Sequence, residues 1–170
     1  ITFQKETDDR YMLSCSYTIY GSIAVKLKKY DTALEILENA LDLTKKNENK
    51  DQQGIIQLNL GLLALAQDNP QTAIQHFNSG LPIINSFDQY YYKAKLYTNK
   101  ARALLLLNKT DEAKETNDLA MQIGEEMGYS EIRSECFELY SQIYEKKQNY
   151  PTALHNLRAH EKIKDSLFNT

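Results

Sequence analysis

The chain has 170 residues, 42% of them hydrophobic and 25% charged, with a net charge of −3. That is the composition of a folded domain, and without clustered Lys and Arg it argues against nucleic acid as a partner. Only three prolines and six glycines favour long helices, and the longest apolar run, Leu58 to Ala66, is about half of what a membrane span needs.

In chain order, the apolar spacing predicts four pairs of helices. The first members run over roughly 9–28, 51–68, 89–107 and 131–147, and the second over roughly 31–47, 70–86, 111–127 and 151–167. Turn signals KKYD, QDNP, LNKTD and KQNYP separate the members of each pair. Asp31, Asn69, Thr110 and Asn149 are placed at or beside the starts of the second helices, and Pro70 and Pro151 fall in their first turns, where a missing N–H costs nothing. The polar segments KNENKD, NSFD and EMGYS connect one pair to the next.

Four alanines, Ala33, Ala73, Ala113 and Ala153, stand forty residues apart. The same step relates Gly21, Gly61, Ala101 and Ser141, and again Ala40, Gly80, Ala120 and His160. Small residues recur where two helices approach closely, because bulk there would overpack the contact. A fixed period of this size is the signature of stacked repeats. It predicts one array over residues 1–170, with repeats at approximately 9–47, 51–86, 89–127 and 131–168 and no internal linker. On the same ruler Ile1 and Phe3 fall with Leu41 and Leu43. The chain is therefore expected to open inside the second helix of an earlier repeat, as a piece of a longer protein.

The pattern of a small residue in the first helix, Ala in the first turn of the second and a small residue two turns later resembles the tetratricopeptide repeat. Here it reads Gly21–Ala33–Ala40, Gly61–Ala73–Gly80 and Ala101–Ala113–Ala120; the fourth set, Ser141–Ala153–His160, departs at its last position. Tyr17, Tyr20, Phe77, Tyr97, Phe137 and Tyr140 fit the aromatic positions. The forty-residue period exceeds the family's usual period of about 34 residues, and the usual closing proline is absent. The resemblance implies an all-α solenoid of antiparallel helix pairs, about four pairs plus a truncated preceding helix. It implies a protein–protein interaction module that holds a peptide or helix in a concave groove. The longer repeat, and the closing segment EKKQNYPTALHNLRAHEKIKDSLFN, look like those of bacterial signalling proteins such as repeat-linked sensor kinases. The expected role is sensory or scaffolding.

The stripe of the first helices that faces such a groove holds Thr18 and Ser22 in repeat one. In repeat two it holds Ile55, Leu58, Leu62 and Leu65; in repeat three Lys95, Thr98 and Arg102; in repeat four Glu138 and Gln142. This gives an apolar middle, a cationic shoulder and an acidic end, suited to a peptide with apolar anchors and flanking charge. The other reading makes the leucines core. A second class of function is self-association, as a homodimer paired through the apolar stripe or by stacked repeat ends. A carboxylate clamp is incomplete, since Thr18 and Ser22 stand where it needs Lys and Asn. Catalysis and cofactors find no support: His155 and His160 are five apart rather than four, so they do not form the usual helical metal pair. No phosphate loop or nucleophile motif occurs. Cys15 and Cys136 read as small buried hydrophobes.

Overall fold

A computed structural model describes the backbone of residues 2–46, 50–84 and 89–168, and the side chains of these residues apart from 2–9, 46 and 168. Among the described residues eight helices follow one another: α1 (Thr2–Lys26), α2 (Tyr30–Lys46), α3 (Lys50–Ala66), α4 (Pro70–Gly80), α5 (Tyr90–Leu106), α6 (Thr110–Glu126), α7 (Ser130–Lys146) and α8 (Tyr150–Phe168). No strand occurs among the described residues. The chain forms two compact units, residues 1–86 and 87–170. In unit one α1 pairs with α2 and α3 with α4, while α3 also packs on α2 and α1. Unit two repeats this scheme, with α7 packing on α6 and α5.

The pairs are held together by the small-residue columns. Ala33, Ala73 and Ala113 have no exposed surface, nor do Ala40, Ala101 and Ala120. A methyl group added at Gly21 would lie 2.6 Å from Leu37 Cδ2, and one at Gly61 would lie 2.2 Å from the Phe77 ring. In the first two pairs the helices thus touch backbone against side chain, with no room for a Cβ at these positions. A fourth column strengthens this approach: Ser14, Gly54, Ala94 and Ser134 are all buried, and a methyl at Gly54 would meet Ile84 Cγ1 at 2.3 Å. His160, the departure from the repeat pattern, is accommodated here. Its Nδ1 lies 3.0 Å from Ser134 Oγ and 2.9 Å from the Ser134 carbonyl.

The turn inside each pair is one motif used four times. Lys28, Asp68, Asn108 and Gln148, again forty apart, have φ of 59°, 56°, 60° and 59°. The following N–H reaches back over the helix end: Lys29 to Ala24 O (2.9 Å), Asn69 to Ala64 O (2.9 Å), Lys109 to Leu104 O (3.0 Å) and Asn149 to Tyr144 O (2.9 Å). These are Schellman closures, which satisfy carbonyls the helix end leaves open. The next helix is capped from the same turn where the residue allows it. Asn69 Oδ1 accepts from Thr72 N at 3.2 Å and Asn149 Oδ1 from Thr152 N at 3.3 Å. The α6 N-cap is Lys109, with no side-chain cap bond; Thr110 is the first helical residue.

Two elements differ from the sequence expectation. α4 ends at Gly80 instead of running to 86, because Pro82 has no N–H to donate and its ring crowds the carbonyl four residues back. The chain there tightens, with Ile83 N bonding Gly80 O at 3.0 Å. At the start, α1 is a single helix from Thr2, so the expected truncated helix and the first helix from residue 9 are joined. Neither glycine nor proline interrupts Glu6–Asp9, whereas the α6–α7 joint turns at Gly128 (φ 71°). Ile1, the Phe3 side chain and the segments 47–49 and 85–88 lie outside the described residues.

A left-handed residue other than glycine costs about 1–2 kcal/mol, while glycine's extra freedom in the unfolded chain costs about 0.5–1 kcal/mol. Lys28→Gly and Gln148→Gly are therefore each expected to stabilise the fold by about 0.5–1 kcal/mol, and Asn108→Gly by less, since Asn tolerates this region. Urea midpoints measured on the three variants check the order.

Candidate functional site

The residues expected to line a groove divide by exposure. Thr18, Leu58 and Thr98 are buried. Thr18 Oγ1 donates to Ser14 O and accepts from Gln52 Nε2 at 3.1 Å, so it ties α1 to α3. Thr98 Oγ1 donates to Ala94 O within α5. Leu58 is only 5% exposed, a core position in the sense of the alternative reading. Ile55, Leu62 and Leu65 are half-buried on α3, as is Ser22 on α1. Gln142 is exposed, and Lys95, Arg102 and Glu138 are partly so.

In unit two the charged positions meet each other. Lys95 Nζ lies 2.8 Å from Glu131 Oε1 and 2.6 Å from Glu135 Oε1, both on α7. Tyr91 Oη donates to the other Glu131 oxygen at 2.8 Å. The Tyr91 ring lies 5.6 Å below the ammonium and packs edge-on against Tyr92 and Tyr129. Arg102 donates to Asn99 Oδ1 at 2.8 Å and pairs with Glu138 at 3.6 Å. The expected cationic shoulder and acidic end are thus opposed across α5 and α7 and largely neutralise one another. Glu131 and Tyr91 were not among the expected site residues. The signal that finds Glu131 is charge opposite to Lys95 at a spacing of 36 residues, close to the separation of neighbouring first helices along the chain; Tyr91 stands forty residues from Glu131.

Burial pushes the Lys95 ammonium down, but the hydrogen bonds to Glu131 and Glu135 outweigh it and raise the group to about 12. Glu131 is held below the usual carboxylate value, chiefly by the hydrogen bond from Lys95. Burial, with donation to Glu131, pushes Tyr91 up to about 12.

Beyond this ladder, toward the C-terminal ends of α5 and α7, lies an open cleft of about 300 Å³ lined by Arg102, Leu105, Leu106, Gln142, Glu145 and Lys146. Leu106 is 58% exposed and supplies an apolar wall. Lys146 Nζ is directed onto Leu105 O (3.0 Å) and Asn108 Oδ1 (2.6 Å), closing one end. Two of the expected residues, Arg102 and Gln142, come together here from successive repeats.

Reactive chemistry is not assembled among the described residues. No group of three or more His, Cys, Asp or Glu side chains is placed to hold a metal ion. Cys136 is buried, and burial pushes its thiol up to about 12; both cysteines are free. His76 pairs with Gln57 at 2.8 Å, and burial lowers its value. No described helix is long and apolar enough to cross a membrane.

Repeated helix pairs, joined by the same turn and presenting their first helices as one surface within each unit, define an all-α helical-repeat protein. Family profiles described as tetratricopeptide repeat match residues 12–86 and 94–123. The chain belongs to the tetratricopeptide-repeat family. Repeats of this family mediate protein–protein interaction or scaffolding, bind proteins or peptides, and are typically non-catalytic. The crystal structure of BtubC (BKLC) from P. vanneervenii has a similar fold, with a TM-score of 0.78 at 16% identity over 95% of this chain. The match spans 66% of that protein's chain. A search of curated proteins gives no match.

The Lys95 network has a signed dependence on pH. Glu131 titrates lower in the folded chain than in the unfolded one. Its contribution is complete above the ordinary value of 4.5 and is lost as pH falls through the lowered folded value. Lys95, raised, contributes fully below 10.5 and loses its share only as pH rises through about 12. Lys95→Met is expected to destabilise unit two by on the order of 1 kcal/mol at neutral pH after allowance for solvent screening. The gap from wild type should shrink below about pH 4. Thermal unfolding followed across that range measures it.

Proposed function

We propose that the chain binds a helical or extended segment of a partner protein along its first-helix surface. The α5–α7 cleft at Arg102, Leu106 and Gln142 is the principal contact. The observation that carries this reading is Leu106, a large apolar side chain left exposed beside a cleft flanked by Arg102, Glu145 and Lys146. An apolar anchor bordered by charges of both signs suits an amphipathic segment, whose burial supplies affinity while the charges fix its register. On unit one, Ile55, Leu62 and Leu65, with Ser22, would form a contact surface of their own. The buried residues Thr18, Leu58 and Thr98 would support the surface from beneath.

In the same reading residues 1–170 are one repeat array, with repeats at approximately 9–47, 51–86, 89–127 and 131–168, serving as the sensory or scaffolding region of a bacterial signal-transduction protein. The forty-residue period and the closing KIKDSLFN segment support that context.

The test uses fluorescent peptides selected by display against the immobilised chain. Leu106→Glu is expected to weaken them at least about tenfold, or 1.4 kcal/mol. Leu119→Glu, at another exposed position on α6, should leave them unchanged. Equal affinity for wild type and Leu106→Glu would contradict the reading.

A further inference from the structure

The forty-residue register identifies what the outer face of α1 is built to meet. Ile23 is 44% exposed, yet its equivalents Leu63, Ala103 and Ile143 are 2%, 0% and 0% exposed. Ile19 and Met12 are more than half exposed, whereas Asn59, Asn99 and Leu139, and likewise Gln52 and Ile132, are buried. Leu63 and its neighbours Ile56 and Leu60 pack against Leu37 and Ala40 of the preceding pair. The outer face of α1 is therefore the receiving half of a repeat-to-repeat joint.

The donating half is exposed on α8. Leu157 is 39% exposed, while its equivalents Leu37, Phe77 and Asn117 are fully buried. The two open halves also match each other in detail. In the α6–α7 joint Lys147 bonds Asp111 at 2.6 Å; the corresponding open positions are Leu27 and Pro151, both apolar. Asn117, which donates to Cys136 O at 3.0 Å, is replaced by Leu157, restoring the apolar contact that Leu37 makes in the α2–α3 joint. Tyr140, which donates to Asp118 at 2.7 Å, becomes Tyr20, and Asp118 becomes Arg158. An exposed cation then stands opposite an exposed ring. Changes on one face are answered on the other.

We propose that a second copy of this chain docks head to tail, with α8 of one copy packed on α1 of the next in the register of an internal repeat joint. The contact is heterologous, so each copy keeps one open half and association can continue. It is separate from the α5–α7 cleft, and either can fail without the other.

Light scattering on the 170-residue chain from about 5 µM to about 500 µM tests this. The mass should rise above 19.6 kDa with concentration. Ile23→Glu and Leu157→Glu should each hold the chain at the mass of one copy. An equimolar mixture of the two variants should form a species of two copies and nothing larger, because one intact joint survives between them. Circular dichroism establishes that each variant is folded; if Ile23→Glu is not, Leu27→Glu, on the same exposed face, replaces it. A wild-type chain that stays at the mass of one copy throughout, or a mixture that remains at one copy, would overturn the proposal. A symmetric pairing through α1 alone would leave Leu157→Glu at two copies by itself, which also overturns the proposal, and a face meant for a different protein leaves the wild type at one copy.

Discussion

The fold depends on how closely the two helices of a pair approach. At Gly61 and Gly21 the backbone of the first helix lies against Phe77 and Leu37 of the second, with no space for a methyl group. The alanines at positions 33, 73 and 113 do the same from the other side, each without exposed surface. Interiors are packed to crystal density, so such a contact tolerates neither bulk nor a void. Because the same contact recurs every forty residues, the same turn recurs with it, and four residues other than glycine are held in the left-handed region to close it. Local backbone cost is accepted at each turn in exchange for a pair that packs without gaps.

The surface follows from that geometry. The first helices α3 and α5 are buried along much of their length, and the strip left accessible on α5 and α7 carries charged side chains. In unit two their charges answer each other: Lys95 holds Glu131 and Glu135, and Arg102 meets Glu138. Most of the potential a ligand would read is neutralised inside the protein. What is left is a modest cleft with one exposed leucine, fitting recognition through an apolar anchor and local polar contacts. It does not suit a carboxylate held by free cations.

Periodicity made the architecture legible before any coordinate. Ala33, Ala73, Ala113 and Ala153 set the pairs, and the helix ends fall within a few residues of expectation wherever a turn motif marks them. α4 escaped because Pro82 sits inside an otherwise helical pattern. The site was less legible. Leu58 and Leu62 are alike in sequence, yet one is buried and the other half-buried, a distinction that depends on neighbours the pattern does not display. Lys95 and Arg102 are expected as ligand contacts on the stripe, and in the structure they meet Glu131, Glu135 and Glu138. Their partners stand on the next first helix, close in space but one repeat away in the chain.

The claim on which everything else rests is that Gly61 is glycine because Phe77 fills its place. A double-mutant cycle tests it most directly. Gly61→Ala alone should destabilise the chain by about 1–3 kcal/mol through overpacking. Combined with Phe77→Leu, which withdraws the ring, the same substitution should cost markedly less, giving a coupling of about 1 kcal/mol or more. A Gly61→Ala variant as stable as wild type, or two substitutions whose effects simply add, would contradict this account of the repeat.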